Sequence, residues 1–276
     1  MAQVSPIAES DVAVANVFDE KQSRRIEAVY LTPDIVQQRA RLLDALTLQP
    51  GERVVDLGCG PGLLALEMAR QVGADGAVQC IDSSDSMLAL ARRRCDGLPH
   101  VEVRGGDVAA LPYAEHSFDV AVCTQVYEYV PDVDHALAEL HRVLKPGGRA
   151  AIMDTDWESC VWNSSDPLRM RRVIEAWDMH CPHPQLPRTL AARLRSVGFV
   201  QVRVEVIPLI NDTYHPETFS CGVIPALAGY AAKQGLVPRA EVDAWVADLQ
   251  ALGERGEYFF SVNRYLFCAR KPGEPH

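Results

Sequence analysis

Three glycines and two acids carry the clearest chemistry in the chain. Gly58, Gly60 and Gly62 form a G-x-G-x-G run directly after the short β-branched segment Arg53–Leu57 and directly before a helical pattern over Leu63–Val72. Glycines between a strand and a helix let the backbone turn sharply and come close to a ligand. The spacing is not G-x-G-x-x-G, and no G-x-x-x-x-G-K-[ST] is present, which excludes a P-loop. Asp82 ends the next predicted strand, twenty positions past Gly62, where a carboxylate can accept both hydroxyls of a ribose. Asp107 follows a third strand and falls at the same carboxyl edge, along which an open parallel sheet has its ligand crevice.

The elements that must position these residues follow from periodicity. Residues 1–50 read as helical, most clearly Asp34–Leu48, with Thr32 as cap, Pro33 at the first helical position and Pro50-Gly51 as the stop. Strands are predicted at 53–57, 77–81, 101–103, 118–123 and 149–153. Helices are predicted at 63–72, at 85–94 behind Ser84 or Asp85, and at 131–144, the last broken by Lys145-Pro-Gly-Gly148. Strands alternating with helices at this spacing specify an α/β fold with a doubly wound, mostly parallel sheet, preceded by N-terminal helices. Beyond Asp154 the periodicity weakens. A short helix at 190–197, a strand at 200–207, helices over 215–255 and a final strand at 258–269 predict a late hairpin strand pair, with 155–190 and 208–255 as mainly helical insertions. The organisation expected is one domain: a helical cap over 1–50, a ligand-binding core over 51–155, and the rest of the sheet with its insertions over 156–276.

Composition narrows the function. The 276 residues are 48% hydrophobic and 23% charged, an ordinary globular balance. A net charge of −10 lacks the basic footprint of a nucleic-acid binder. No run approaches a membrane span, so stable membrane insertion is not expected, and the acidic N-terminus does not read as a secretory signal. Eight scattered cysteines without C-x-x-C predict reduced thiols in a cytoplasmic protein, and no metal site. The sequence leaves monomer and homodimer open.

VVDLGCGPG (54–62), Asp82, GDVAALPYAEHSFDVAV (106–122) and LHRVLKPGGRAAI (140–152) together resemble the class I S-adenosylmethionine-dependent methyltransferases, most of all the UbiE-like small-molecule enzymes. The resemblance covers roughly residues 30–155. It implies a Rossmann-like methyltransferase fold, S-adenosylmethionine as cofactor, and a small-molecule methyl acceptor, aromatic or isoprenoid-type, methylated on oxygen, nitrogen or carbon. It further implies that Asp56 and the Gly58–Gly62 backbone surround the methionine portion and that Asp82 holds the ribose. Ser83 and Met87 would line the adenine, Asp107 and the Val108 backbone would meet its amino edge, and Thr124 and Gln125 would lie near the sulfonium. Tyr30 resembles the aromatic that closes over the cofactor in relatives.

Residues 156–276 do not carry the resemblance, and the acceptor side is read from residue types alone. Tyr127 and His180 are the candidates for acid–base catalysis, beside Asp156 and His183. Asp154, Trp157 and Tyr258 are the candidates for contact with the acceptor. Three tryptophans between 157 and 177 suit a pocket for a flat or apolar molecule. Two other functions compete. One is an arsenite methyltransferase binding the metalloid through thiolates such as Cys123, Cys160 and Cys221. The other is a non-catalytic, cofactor-binding regulatory protein. A tRNA or protein methyltransferase is disfavoured because CTQVYEYV stands where such enzymes carry an N-P-P-Y-type tetrapeptide.

Overall fold

A computed structural model describes residues 20–274. Two helices come first, α1 (Glu20–Tyr30) and α2 (Pro33–Leu46), and the helical reading of residues 1–19 lies outside the described residues. The strands are β1 (Arg53–Leu57), β2 (Ala77–Asp82), β3 (Val101–Gly105), β4 (Phe118–Thr124), β5 (Leu144–Trp162), β6 (Val200–Asn211) and β7 (Phe260–Arg270). Between them run α3 (Leu63–Val72), α4 (Asp85–Arg94), α5 (Val133–Val143), α6 (Pro167–Asp178), α7 (Pro187–Ser196), α8 (Phe219–Lys233) and α9 (Arg239–Glu254).

The seven strands form one sheet in the order β3-β2-β1-β4-β5-β7-β6. β1 to β5 are parallel, and β7 runs antiparallel to both β5 and β6. The strand order reverses between β1 and β4, so a crevice opens at their carboxyl ends, where open α/β sheets bind ligands. β1 is buried along four of its five residues, as a central parallel strand covered on both faces must be. One face packs Leu57, Ile81, Phe118 and Tyr127 beneath Leu137 and Leu140 of α5 and Leu190 and Leu194 of α7. The other packs Val54 and Val78 against Leu42 and Leu46 of α2 and Met68 and Val72 of α3. A third cluster joins the distal parts of β5 and β7 to α6, α8 and α9 through Trp162, Met170, Val173, Leu227, Trp245 and Phe260.

Local start signals act as expected from their chemistry, with one exception. Ser84 caps α4 by accepting from the Met87 amide. Asp132 caps α5 through the His135 amide at 3.0 Å, so that helix starts at Val133, two residues after Pro131. Thr32 stands at the N-cap of α2, yet its hydroxyl donates back to the Val29 carbonyl at 2.7 Å.

The largest departure from the sequence reading is β5. It does not stop at Asp154 but continues to Trp162, pairing Asp154 with Tyr265, Thr155 with Arg264 and Asp156 with Asn263. Polar residues in this stretch look like a loop in sequence. Here they remain in the sheet because Arg264 and Arg188 satisfy them. β6 likewise extends to Asn211, so the insertion between β6 and β7 starts later than position 208 and makes their connection long.

Candidate active site

The glycine turn is held by its surroundings before any ligand arrives. Gly58, Gly60 and Gly62 have φ of 71°, 52° and 75°, in the left-handed region that side chains avoid. A Cβ on Gly58 would lie 2.2 Å from Val126 Cγ2, and one on Gly62 would lie 2.9 Å from Ala91 Cα. These two glycines are therefore needed for packing against the end of β4 and against α4. A Cβ on Gly60 would meet nothing within 4 Å. Its backbone borders open space, as close approach to a ligand requires. The Gly60 amide donates to Asp82 Oδ2 at 2.8 Å, and the Ser84 amide donates to Oδ1 at 2.9 Å. Burial raises the Asp82 carboxyl, opposed by the Ser84, Gly60 and Ser83 amides. Each oxygen keeps a lone pair for a further donor.

Asp56 lies beneath the turn, fully buried, with Oδ2 lacking any hydrogen-bond partner. Burial, followed by the nearby Asp82 charge, pushes its carboxyl up to about 7. Beside the turn, the Gly106 amide bonds the Asp82 carbonyl at 3.1 Å, which sets Asp107 next to Asp82. Asp107 is exposed and accepts from the Ala109 amide at 2.8 Å. Val108 and Met87 are buried, and Ser83 is exposed at the entry to α4. Arg94 ties the first helix to this assembly by donating to both the Pro61 carbonyl and Glu27 of α1. Tyr30, at the end of α1, is half-buried. Burial raises its phenol, which also feels Arg264, Glu128 and Asp82, so it stands between the glycine-turn side and the ends of β4 and β5.

At those strand ends the backbone is strained. Gln125 has φ of 56°, and its amide donates to the Met153 carbonyl at 2.7 Å. Its side chain donates to the same carbonyl at 3.2 Å and accepts from Thr155 Oγ1. Thr124 is half-buried beside it. The Val126 amide donates to Asp154 Oδ1 at 3.1 Å, and the Thr155 amide donates to Glu128 Oε2 at 3.3 Å. Asp154 and Glu128 are fully buried; Asp154 Oδ2 has no partner, and Glu128 Oε1 faces the Trp157 indole and the Tyr129 hydroxyl. Burial pushes Glu128 up to about 7 against the lowering influence of Arg264, Thr155, Trp157 and Tyr129. Burial and the Glu128 charge raise Asp154 well above the usual carboxylate range.

The remaining candidates divide. His180 stacks on Trp177 with ring centroids 3.8 Å apart and meets Trp157 edge-on at 5.1 Å. Its Nδ1 lies 2.6 Å from the Trp177 carbonyl and must donate, so Nε2, 3.2 Å from the Tyr129 hydroxyl, accepts. Burial lowers the imidazole to about 4, which keeps it neutral near pH 7. Tyr127 sits in the inner core with its hydroxyl unpartnered. Tyr258 accepts from Trp162 Nε1 at 2.9 Å within the outer core. Asp156 is held by Arg188 through two bonds of 3.0 Å, and His183 Nε2 bonds the Pro131 carbonyl at 3.2 Å. Cys123 belongs to the inner core and Cys160 to the outer one. Among the described residues no group of three or more His, Cys, Asp or Glu is arranged to hold a metal ion.

Sequence reasoning missed Glu128 and Arg264. Arg264 is buried, donates to Thr155 Oγ1 at 3.2 Å and to Gln38 Oε1 at 2.7 Å, and lies 4.8 Å over the Phe219 ring. The available signal was a single charge inside each of two aromatic, apolar runs, VYEYV and YFFSVNRYLFCA.

A family model described as a methyltransferase domain matches residues 54–148. The 2-phytyl-1,4-naphtoquinone methyltransferase of Thermosynechococcus vestitus is 41% identical over 176 residues, covering 58% of this chain and 78% of that protein. An uncharacterized 37.1 kDa protein in transposon TN4556 of Streptomyces fradiae is 34% identical over 233 residues, covering 83% of this chain and 65% of that protein. The chain spans about half the length of most other curated relatives that it matches. Among solved structures, phosphoethanolamine N-methyltransferase 2 of Haemonchus contortus, in complex with S-adenosyl-L-methionine, shares the fold with a TM-score of 0.62. It is 18% identical and covers 97% of this chain and 60% of that one. This chain belongs to the class I S-adenosylmethionine-dependent methyltransferases. Its crevice fits that cofactor. The unpartnered Asp56 oxygen suits a cationic amine, Asp82 retains acceptor capacity for ribose hydroxyls, and Gly60 leaves the backbone approach open.

Proposed function

We propose that this protein transfers the methyl group of S-adenosylmethionine to a small, flat acceptor, aromatic or isoprenoid-bearing, on oxygen, nitrogen or carbon. The observation that carries this is the meeting of two differently built halves. A carboxylate-and-glycine crevice lies at the ends of β1 and β2, and an aromatic cluster of Trp157, Trp177 and His180 is built on the middle of β5. The named relative that acts on a phytyl naphthoquinone supports an acceptor of that shape.

When bound, S-adenosylmethionine supplies an electrophilic methyl with a thioether leaving group. The chain's share is alignment, and fixing two reactants in line removes ~7–11 kcal/mol of barrier. Asp56 and the Gly58–Gly62 backbone would hold the methionine portion, with Thr124 and Gln125 alongside. Asp82 would hold the ribose. Ser83, Met87, Asp107 and Val108 would hold the adenine, and Tyr30 would close over it. Trp157, Asp154 and Tyr258 would shape the acceptor side. His180 has both ring nitrogens engaged and Tyr127 is sealed in the core, so the proton-accepting role assigned to them from sequence falls more naturally to a carboxyl nearby.

Residues 1–50 would then cap the cofactor, 51–155 bind it, and 156–276 select the acceptor. A cytoplasmic setting suits the eight free thiols, and a net charge of −10 argues against a nucleic-acid acceptor. No helix among the described residues is long and apolar enough to cross a membrane. The test is transfer of isotope-labelled methyl from S-adenosylmethionine to a panel of phenols and reduced naphthoquinones, with and without an isoprenoid tail. Label in an organic product is expected. Absence of transfer to every flat acceptor, alongside transfer to an unrelated class, would overturn the acceptor assignment.

A further inference from the structure

Glu128, in the turn after β4, and Asp154, within β5, each hold backbone beside the other. The Val126 amide, two residues before Glu128, bonds Asp154, and the Thr155 amide, next to Asp154, bonds Glu128. Each carboxyl thereby spends one oxygen on fixed backbone; the second oxygen of Asp154 is buried without a partner, and that of Glu128 faces the Trp157 indole and the Tyr129 hydroxyl. Buried polar atoms are almost always paired, so the unpartnered Asp154 oxygen beside Glu128 points to a ligand.

The groups facing the pair come from every neighbouring element. They are Arg264 from β7, Tyr30 from α1, Trp157 from β5, Cys123 from β4, Tyr127 and Tyr129 with His180 behind the latter, and Cys181. Arg264 gives two of its donors to Thr155 and Gln38 and its flat face to Phe219, and its charge acts on the pair through space. Two carboxyls in one dry site do not both ionise at modest cost, so the pair holds a proton that moves readily.

We propose that the Glu128–Asp154 pair accepts the proton given up by the methyl acceptor, and that it selects a neutral acceptor with a hydroxyl on a flat ring against one bearing a carboxylate there. This rests on the methyl-transfer reading above. The acceptor O–H bond breaks and its proton passes to Glu128. The electron pair left on oxygen forms the new bond to the methyl carbon. The methyl–sulfur bond breaks with its electrons staying on sulfur, which leaves S-adenosylhomocysteine. A carboxylate at that place would face like charge, whereas the carboxyl pair, with the unpaired Asp154 oxygen, offers a hydroxyl its partner.

The experiment compares wild type and Glu128→Gln with S-adenosylhomocysteine bound, by infrared difference spectroscopy from mildly acidic to mildly alkaline buffer. Wild type should show a buried protonated-carboxyl band that bleaches as pH rises, and the variant should lose the Glu128 share of it while the Asp56 and Asp154 contributions remain. In parallel, turnover is measured with 1,4-dihydroxynaphthalene and with 1,4-dihydroxy-2-naphthoate. The neutral diol should be preferred by at least about tenfold in kcat/KM. Glu128→Gln should lose about 100-fold in kcat, together with the acid limb of the pH profile, while S-adenosylhomocysteine affinity stays within about twofold. An unchanged carboxyl band in the variant, or unchanged turnover with the acid limb intact, overturns the proposal. If Glu128→Gln does not fold, Asp154→Asn replaces it: altered titration of the same band supports the pair, and an unaltered one overturns it. Wild type that transfers methyl to neither probe would count against the methyl-transfer reading, and the infrared titration would still decide the pair.

Discussion

The Gly60 amide donates a hydrogen bond to Asp82 Oδ2 at 2.8 Å, joining the middle of the glycine turn to the acid that ends β2. With Ser84 holding Oδ1, the carboxylate is oriented before a ligand arrives, so little ordering remains to be done on binding. Asp82→Ala should weaken S-adenosylmethionine by ~1.5–3 kcal/mol, about 10- to 150-fold in Kd, the scale of bonds to a charged group. Equilibrium dialysis against labelled cofactor reads this directly, and equal affinity for both proteins would remove Asp82 from the site.

Glycine substitutions should separate packing from approach. Gly58→Ala forces a Cβ to within 2.2 Å of Val126 at a left-handed φ, so it should cost folding stability, on the order of 2–4 kcal/mol in denaturant titration. The Cβ introduced by Gly60→Val meets no protein atom within 4 Å. The variant carries only the conformational strain, about 1–2 kcal/mol, and should lose cofactor binding while the protein stays folded.

The pH dependence of stability has a definite sign. Glu128 is raised from 4.5 to about 7 by burial, so the folded state holds the proton more tightly than the unfolded chain. Its contribution is fully present below 4.5 and is lost as pH rises through about 7. His180 acts oppositely. It is lowered from 6.5 to about 4, so its contribution is present above 6.5 and is lost as pH falls through about 4. Glu128→Gln should therefore flatten the decline in unfolding free energy between mildly acidic and mildly alkaline buffer by about 1–3 kcal/mol. Parallel curves for variant and wild type would contradict the burial-raised carboxyl.

On the acceptor side, Trp157→Phe and His180→Phe should raise the acceptor KM or lower kcat while cofactor affinity stays put. Tyr258→Phe should behave differently. It leaves the buried Trp162 indole without its 2.9 Å acceptor and should cost about 1–3 kcal/mol of stability.

Chelation should not alter turnover. A loss in chelator that one divalent ion restores would show a metal requirement that no ligand spacing in the chain announces.

The cofactor half of the molecule was legible because its signals are local. Arg53–Leu57 and Leu63–Val72 fall where their patterns predict, since a buried parallel strand and an amphipathic helix differ in period within ten residues. The continuation of β5 through Thr155 and Asp156 was not legible, because these polar residues remain in the sheet through Arg264 and Arg188, 109 and 32 positions away in the chain. Glu128 was hidden for the same reason. Its partners are an amide on β5 and an arginine on β7, and no window around position 128 contains them. The acceptor side is assembled from long-range pairs, so residue type and position alone did not reveal which polar groups meet.

The central claim is that the crevice between the glycine turn and Asp82 holds S-adenosylmethionine. Calorimetric titration of the purified chain with S-adenosylmethionine, then with S-adenosylhomocysteine in competition, tests it most directly. One site with micromolar-range affinity, displaced by S-adenosylhomocysteine, is the result expected. A folded protein that gives no binding heat with either compound across temperatures, and no shift in its melting temperature when they are added, would contradict it.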